Sequence, residues 1–358
     1  MGRIGRRGRT VEHTEALRSP HPARPAAPAR AAYWFISAAI AVCASVHAQT
    51  ADPLPSWNDG SVKQNIVAFV QGTTDMSDRR FVPPAERIAV FDNDGTLWTE
   101  QPMYTQLVFA LDRVKALAPS HPEWRTQMPF SAVLRDDTKA FDDAGDKALE
   151  QVMFATHTGM TPEEFTKTVN DWIAGARHPR FNRRYTELVY QPMIELLAYL
   201  RASGFKTYIV TGGTVEFVRA WSERVYGIPP EQVVGTTFVT KYSIPNAHPT
   251  LTREPEVDFV DDGPGKPEAI QKFIGRHPTF AVGNSDGDQE MLEWTAGRSG
   301  ARFVALVHHT DAQREWAYDR SSHIGRLDKA LDEAARGNWT VIDMKRDWAR
   351  VFAFEPAN

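Results

Sequence analysis

The 358-residue chain has a single cysteine, Cys43. A lone thiol excludes an intramolecular disulfide and a cluster of thiolate metal ligands. No G-x-S-x-G elbow is present, which removes a common signature of serine hydrolases. There is no P-loop either, since "GPGKPE" (Gly263–Glu268) lacks both the spacing and the hydroxyl after the lysine. No internal repeat occurs, and no low-complexity tract beyond an Ala/Pro/Arg-rich leader. Outside that leader there is no basic run. Residues 1–48 hold seven arginines and two glutamates; of 41 Lys+Arg and 45 Asp+Glu in total, 34 and 43 remain, a formal −9 for residues 49–358. An acidic body with no basic run argues against a nucleic-acid surface. Long apolar runs are missing too: the sixteen residues Ala31–Val46 fall short of the ~20 that a membrane span needs.

What the leader does contain is the pattern of a secretory signal. A basic stretch precedes Ala31–Val46, and Val46-His47-Ala48 resembles a small-residue cleavage site. Cleavage after Ala48 would leave a periplasmic or secreted protein with no thiol and no stable membrane span. Arg6-Arg7 lies too far from the apolar run to act as a twin-arginine signal, and Ile40-Ala41-Val42 makes a poor lipid-attachment box before Cys43.

Beyond a polar linker, Ser61–Gln71 reads as a short helix with a serine cap. Arg87–Asp92, short and continuously apolar up to its aspartate, reads as a buried strand. From Glu100 to about Ala202 the pattern turns helical. Pro102 opens one helix with Met103, Leu107, Leu111 and Val114 on one face, and Thr161-Pro162-Glu163-Glu164 is a capping box that turns Phe165, Val169 and Trp172 inward. A third helix covers Met193–Leu200. Strands then return at Lys206–Gly213, at Pro278–Asp288 and at Arg302–Val307, with a helix over Val215–Tyr226 between the first two. Strands alternating with helices predict an α/β fold: a doubly wound, mostly parallel sheet with a helical cap inserted after its first strand. The expected boundaries are a signal segment at 1–48, an extension at 49–84, a core at 85–99 and 203–358, and a cap at 100–202. The tail Gly337–Phe354 resembles a strand-containing addition.

In open parallel sheets, sites form where loops leave the carboxyl ends of strands. Three apolar strands end in polar, glycine-bearing loops: Asp92-Asn93-Asp94-Gly95-Thr96, Thr211-Gly212-Gly213-Thr214, and Gly283-Asn284-Ser285-Asp286-Gly287-Asp288. Lys266 sits between the last two, at a helix start where the dipole disfavours a cation. Asp92 can act as a nucleophile toward phosphorus. Asp94 can protonate a leaving alkoxide and later deprotonate water. Two anions facing an anionic substrate call for a cation, and Mg²⁺ suits an oxygen-only set that Asn284 and Asp288 would complete. Thr211, with the amides that follow it, can hold phosphate oxygens, and Lys266 can neutralise the transferring group. A calcium loop fails on spacing: with Gly95 at position 6, position 1 is Val90.

Asp92-Asn93-Asp94-Gly95-Thr96, Thr211, Lys266 and Gly283–Asp288 resemble the four motifs of the haloacid dehalogenase superfamily, in order and at strand ends. The helical insertion resembles the cap of the phosphoserine-phosphatase-like branch. The resemblance spans about residues 85–310. It implies an aspartyl-phosphate at Asp92 and acid/base work at Asp94, whose main-chain carbonyl would also meet Mg²⁺. It further implies phosphate binding by Thr211, Gly212 and Lys266, and a metal site of Asp92, Asp94, Asn284 and Asp288. The expected activity is Mg²⁺-dependent hydrolysis of a small phosphomonoester. Phosphotransfer uses the same residues, and a non-catalytic phosphate-ester binding protein would keep the fold. Dehalogenation is disfavoured because Asp94 is present. Two departures stand out. Asn284 occupies a position that more often carries an aspartate, and the residue nine after Asp92 is Gln101 rather than an acid, which does not favour serine phosphate as substrate.

Overall fold

The computed structural model describes residues 52–356; the leader, its apolar run and the expected cleavage point lie outside the described residues. Among the described residues no helix is long and apolar enough to cross a membrane. An eight-stranded sheet forms the centre: β1 (Ile88–Phe91), β2 (Lys206–Thr214), β3 (Val233–Ser243), β4 (Thr250–Phe259), β5 (Phe280–Gly283), β6 (Phe303–Thr310), β7 (Ala317–Tyr318) and β8 (Thr340–Asp343). Their order across the sheet is β4-β3-β2-β1-β5-β6-β7, with β8 also paired to β6. Only β4 and β7 run antiparallel to their neighbours. The mostly parallel α/β architecture read from the alternation of strands and helices is therefore present.

β1 sits at the middle of the sheet, between β2 and β5. Its four residues are buried on both faces, which is why the run is apolar without alternation. Ala89 and Phe91 pack into one layer with Ile209, Phe280 and Val282, while Ile88 and Val90 face the other with Val210, Ala281 and Leu306. Phe91 and Phe280 lie 5.9 Å apart, and Phe280 stacks on Phe303 at 4.8 Å.

Ahead of β1, α1 covers Ser61–Thr74; Gly60, not a serine side chain, stands at its N-cap. Between β1 and β2 come α2 (Thr105–Leu117), α3 (Phe130–Leu134), α4 (Thr138–Asp143), α5 (Gly145–His157), α6 (Pro162–Ile173) and α7 (Gln191–Ala202). α2 begins three residues later than Pro102 suggests. The capping box of α6 is present: Thr161 Oγ1 accepts from the Glu164 amide at 3.2 Å, and Glu164 accepts from the Thr161 amide at 2.9 Å. α2 to α5 enclose a small core of their own, including Ala110, Val114, Trp124, Phe141 and Val152. α7 instead buries Met193, Leu196, Leu197 and Leu200 against the sheet.

Two parts of the chain differ from the pattern read in the sequence. The helix expected over Val215–Tyr226 is two five-residue helices, α8 (Val215–Arg219) and α9 (Ser222–Tyr226), broken where Trp221 turns in to stack on Trp98 at 4.3 Å. β3 and β4 form a hairpin in a stretch that carried no strand expectation. β4 gives no strand signal because its Arg253-Glu254-Pro255-Glu256 is polar and proline-bearing, yet an antiparallel edge strand tolerates both features. The tail does add a strand, β8, alongside β6.

Candidate active site

The loops after β1 and β5, the end of β2, and a helix start bring the expected residues together. Helix α10 (Gly265–Ala269) carries Lys266, which is only 1% exposed. Its Nζ donates to Asp92 Oδ1 at 2.6 Å, to Asp288 Oδ1 at 2.6 Å and to the Val210 carbonyl at 3.0 Å. Burial works against the charge on this lysine, but Asp288 and Asp92 more than offset it and hold its pKa up. Asp288 spends its other oxygen on its own loop, where Oδ2 accepts from the amides of Asn284 at 2.9 Å and Ser285 at 3.0 Å. As placed, Asp288 anchors the lysine and the loop.

Asp92 immediately follows β1. One of its oxygens is tied to Lys266; Oδ2 has no hydrogen-bond partner among the described residues. Burial, and then the nearby Asp288, push its pKa well above the usual carboxylate range. Asp94 accepts from Trp98 Nε1 at 2.9 Å. Burial raises its pKa as well, which favours the protonated acid. Behind this turn, His309 donates from Nε2 to the Gly95 carbonyl at 2.8 Å and meets Glu315 through Nδ1 at 3.2 Å. Burial opposes ionisation of Glu315, yet His309 helps to hold its pKa low. His308 and His309 both lie on β6.

Thr211 lies inside β2, which runs on to Thr214. Its Oγ1 accepts from the Gly213 amide at 3.1 Å, leaving the hydroxyl hydrogen to donate elsewhere. Gln106, from α2, reaches down from the inserted helices. Its Oε1 accepts from the Thr214 amide at 2.9 Å, while Nε2 donates to Thr214 Oγ1 at 2.6 Å and faces His157 Nε2 at 3.0 Å. Burial lowers the His157 pKa to about 3, so the ring is neutral and its Nε2 accepts.

Asp92, Asp94, Thr211, Gly212 and Lys266 all line one cavity of about 400 Å³, of a size that suits a small molecule. Its far wall comes from the inserted helices and the residues just before them: Tyr104, Leu107, Leu149 and Met153. A larger surface cleft, about 840 Å³ and lined by Arg80, Glu293 and Arg302, contains none of the strand-end carboxylates. Trp98, Trp124 and Trp172 line neither. Trp98 stacks on Trp221 while donating to Asp94; Trp124 packs on Phe130 at 4.3 Å and Trp172 on Tyr185 at 5.8 Å.

Asn284 is brought near but does not line the cavity. Its Oδ1 accepts from Thr96 Oγ1 at 3.0 Å, and its Nδ2 donates to Glu100 Oε1 at 2.7 Å. Glu100, which sequence reasoning missed, does line the cavity, although it is only 2% exposed. Gln101, its neighbour, turns away to Ser322 at 3.3 Å and to the Ile324 carbonyl at 3.1 Å.

The donor set fits a hard divalent cation. It is all oxygen, and four carboxylates (Asp92, Asp94, Glu100 and Asp262) line the cavity with one lysine that Asp288 already shares. Among the described residues no three His, Cys, Asp or Glu side chains are grouped so that they alone could hold a metal ion. Main-chain carbonyl, water and substrate oxygens would complete the shell, as is usual for Mg²⁺.

A family model for haloacid dehalogenase-like hydrolases matches residues 89–293, more than half of the chain. The chain belongs to that family. No curated protein matches it. Among solved structures, a functionally unknown protein from Anaerococcus prevotii DSM 20548 is 15% identical over 78% of this chain and 91% of its own, with a TM-score of 0.52. That likeness shows the shared fold. A protein of unknown function from Bordetella pertussis Tohama I, also 15% identical, aligns over 72% of this chain and 99% of its own, with a TM-score of 0.46. A phosphoserine phosphohydrolase-like protein from Francisella tularensis subsp. tularensis SCHU S4 is 15% identical over 62% and 87%, with a TM-score of 0.35.

Proposed function

We propose that this haloacid dehalogenase-like hydrolase is an exported, Mg²⁺-dependent phosphatase of a small phosphomonoester. The observation that carries the reading is Asp92 beside Asp94 at the wall of one cavity, with Lys266 tying Asp92 to Asp288 behind it. Asp92 Oδ2 attacks phosphorus as the ester P–O bond breaks, and the departing alkoxide takes a proton from the Asp94 carboxyl. The resulting aspartyl-phosphate is then attacked by water, which gives its proton back to Asp94; inorganic phosphate leaves and the Asp92 carboxylate is restored. Lys266 holds Asp92 in place and balances charge on the transferring group, with Thr211 donating to one of its oxygens. A bound Mg²⁺, held by Asp92, the Asp94 carbonyl and the Glu100 side of the cavity, would screen the substrate's charge from the carboxylates. Tyr104, Leu107, Leu149 and Met153 offer the ester group a largely apolar wall, which favours a compact, weakly polar leaving group.

The test is turnover of a chromogenic phosphomonoester with Mg²⁺, followed by a broad phosphoester panel. Asp92→Asn is expected to lose at least about a thousandfold in kcat, as loss of a covalent nucleophile does. No turnover by the wild type on any ester, or an Asp92→Asn variant as active as wild type, overturns the mechanism. Export is checked separately, by fractionation and N-terminal sequencing, where a mature start at Gln49 is expected.

A further inference from the structure

Asn284 and Glu100 are 184 residues apart in sequence and joined by one hydrogen bond. Asn284 is 1% exposed, and its amide is satisfied on both sides by Thr96 and Glu100. It contributes no charge. Glu100 Oε1 accepts from Asn284 Nδ2 and from the Tyr318 hydroxyl, each at 2.7 Å. Oε2 has no hydrogen-bond partner among the described residues, although the side chain is nearly fully buried and lines the cavity that holds Asp92 and Asp94.

The room for this carboxylate is built in. A Cβ at Gly95 would collide with Asn284 Nδ2 and Glu100 Oε1, and one at Gly325 would collide with Glu100 Oε1 as well; both glycines sit at positive φ, +77° and +63°. Among the described residues no basic side chain forms an ion pair with Glu100. Lys266 is committed to Asp92 and Asp288, and the charges that act on Glu100 are those of Asp94, Asp92 and Glu315. An unpaired buried carboxylate is costly. One placed among other acids and open to a cavity is matched to a cation that enters that cavity.

We infer that Glu100 supplies the divalent cation with the negative charge that a carboxylate at position 284 would otherwise carry. Amide and carboxylate have been exchanged across a single hydrogen bond: position 284 supplies the donor and position 100 the charge. This rests on the metal-dependent reading above and goes beyond it by naming where the charge resides.

The test measures Mn²⁺ binding to the purified protein by calorimetry, without substrate, with thermal unfolding in EDTA as a check on folding. Wild type is expected to bind Mn²⁺, and Glu100→Gln to weaken the affinity by at least about tenfold, the scale of losing a charged supporting group. The reciprocal double variant, Glu100→Gln with Asn284→Asp, keeps the charge and the hydrogen bond with donor and acceptor reversed. It is expected to recover affinity to within about threefold of wild type, as coupled partners should. Wild-type affinity in Glu100→Gln, or a double variant as weak as the single, overturns the inference and leaves the phosphatase reading standing. Should Glu100→Gln not fold, the double variant alone decides: affinity within about threefold of wild type supports the inference, and a loss beyond about tenfold overturns it. A wild type that binds no Mn²⁺ removes the metal-dependent reading, and the inference with it.

Discussion

At the scale of single residues, Lys266 holds the most consequences. It is the common partner of two buried acids, so removing it leaves both uncompensated. Lys266→Met is therefore expected to cost roughly 3–5 kcal/mol of stability, the range for breaking a buried pair from one side, and to abolish turnover. Urea unfolding and the chromogenic assay check the two effects separately. Asp92, Asp94, Thr211 and Lys266 were legible in the sequence because each sits at a strand end or helix start that has its own local signature. Glu100 was not. Nothing in Trp98-Thr99-Glu100 separates a surface acid from a buried one, and its partners, Asn284 and Tyr318, lie 184 and 218 positions away. Asn284 looked like a weakened metal ligand for the same reason: the amide's meaning depends on the acid it meets.

At the scale of elements, the inserted helices and the sheet are fastened where α2 and α5 meet the end of β2. Gln106 joins Thr214 to His157 there, and the β3–β4 hairpin closes the underside, with Phe238 against Phe154 at 5.7 Å and the Gly159 amide donating to the Arg253 carbonyl at 2.9 Å. The hairpin was missed because its charged, proline-bearing strand has no buried stripe of its own; its pairing with β3 makes it a strand. His157 gives this junction a pH dependence. Burial, with Arg253 and Arg113 nearby, depresses its native pKa to about 3, against an ordinary 6.5. Below pH 6.5 the unfolded chain takes up a proton that the native ring refuses, so this group's contribution to stability is full above that value. It declines as pH falls toward 3, by up to about 1.4 kcal/mol per pH unit. Urea unfolding at pH 7 and 4.5 should show a smaller acid-side loss in His157→Gln, whose amide still offers Gln106 an acceptor.

At the scale of the molecule, the tail completes the fold. β8 extends the sheet beside β6, and Ile342, Met344, Trp348, Val351 and Phe352 beyond Gly337 are buried. Trp348 meets Trp57 edge to face at 6.0 Å, so the two ends of the described chain close on each other. At roughly 1.5–3 kcal/mol per buried large apolar side chain, losing all five exceeds the 5–15 kcal/mol that holds a typical domain together at its lower bound. Truncation after Gly337 is expected to yield insoluble or unfolded protein, read from far-UV circular dichroism and size exclusion. The parallel sheet was legible from its apolar strands; the closure of tail on extension was not, since isolated aromatic residues do not announce their partners.

The ammonium of Lys266 touches groups from the end of β1, from β2 and from the loop after β5, and only 1% of the residue is exposed. An amine held charged between two acids in that position is a poor target for acylating reagents for as long as the three strand ends stay together. The side chain that serves the chemistry is therefore also a reporter: its labelling rate counts how often the middle of the sheet comes apart, something that the other, surface lysines cannot register.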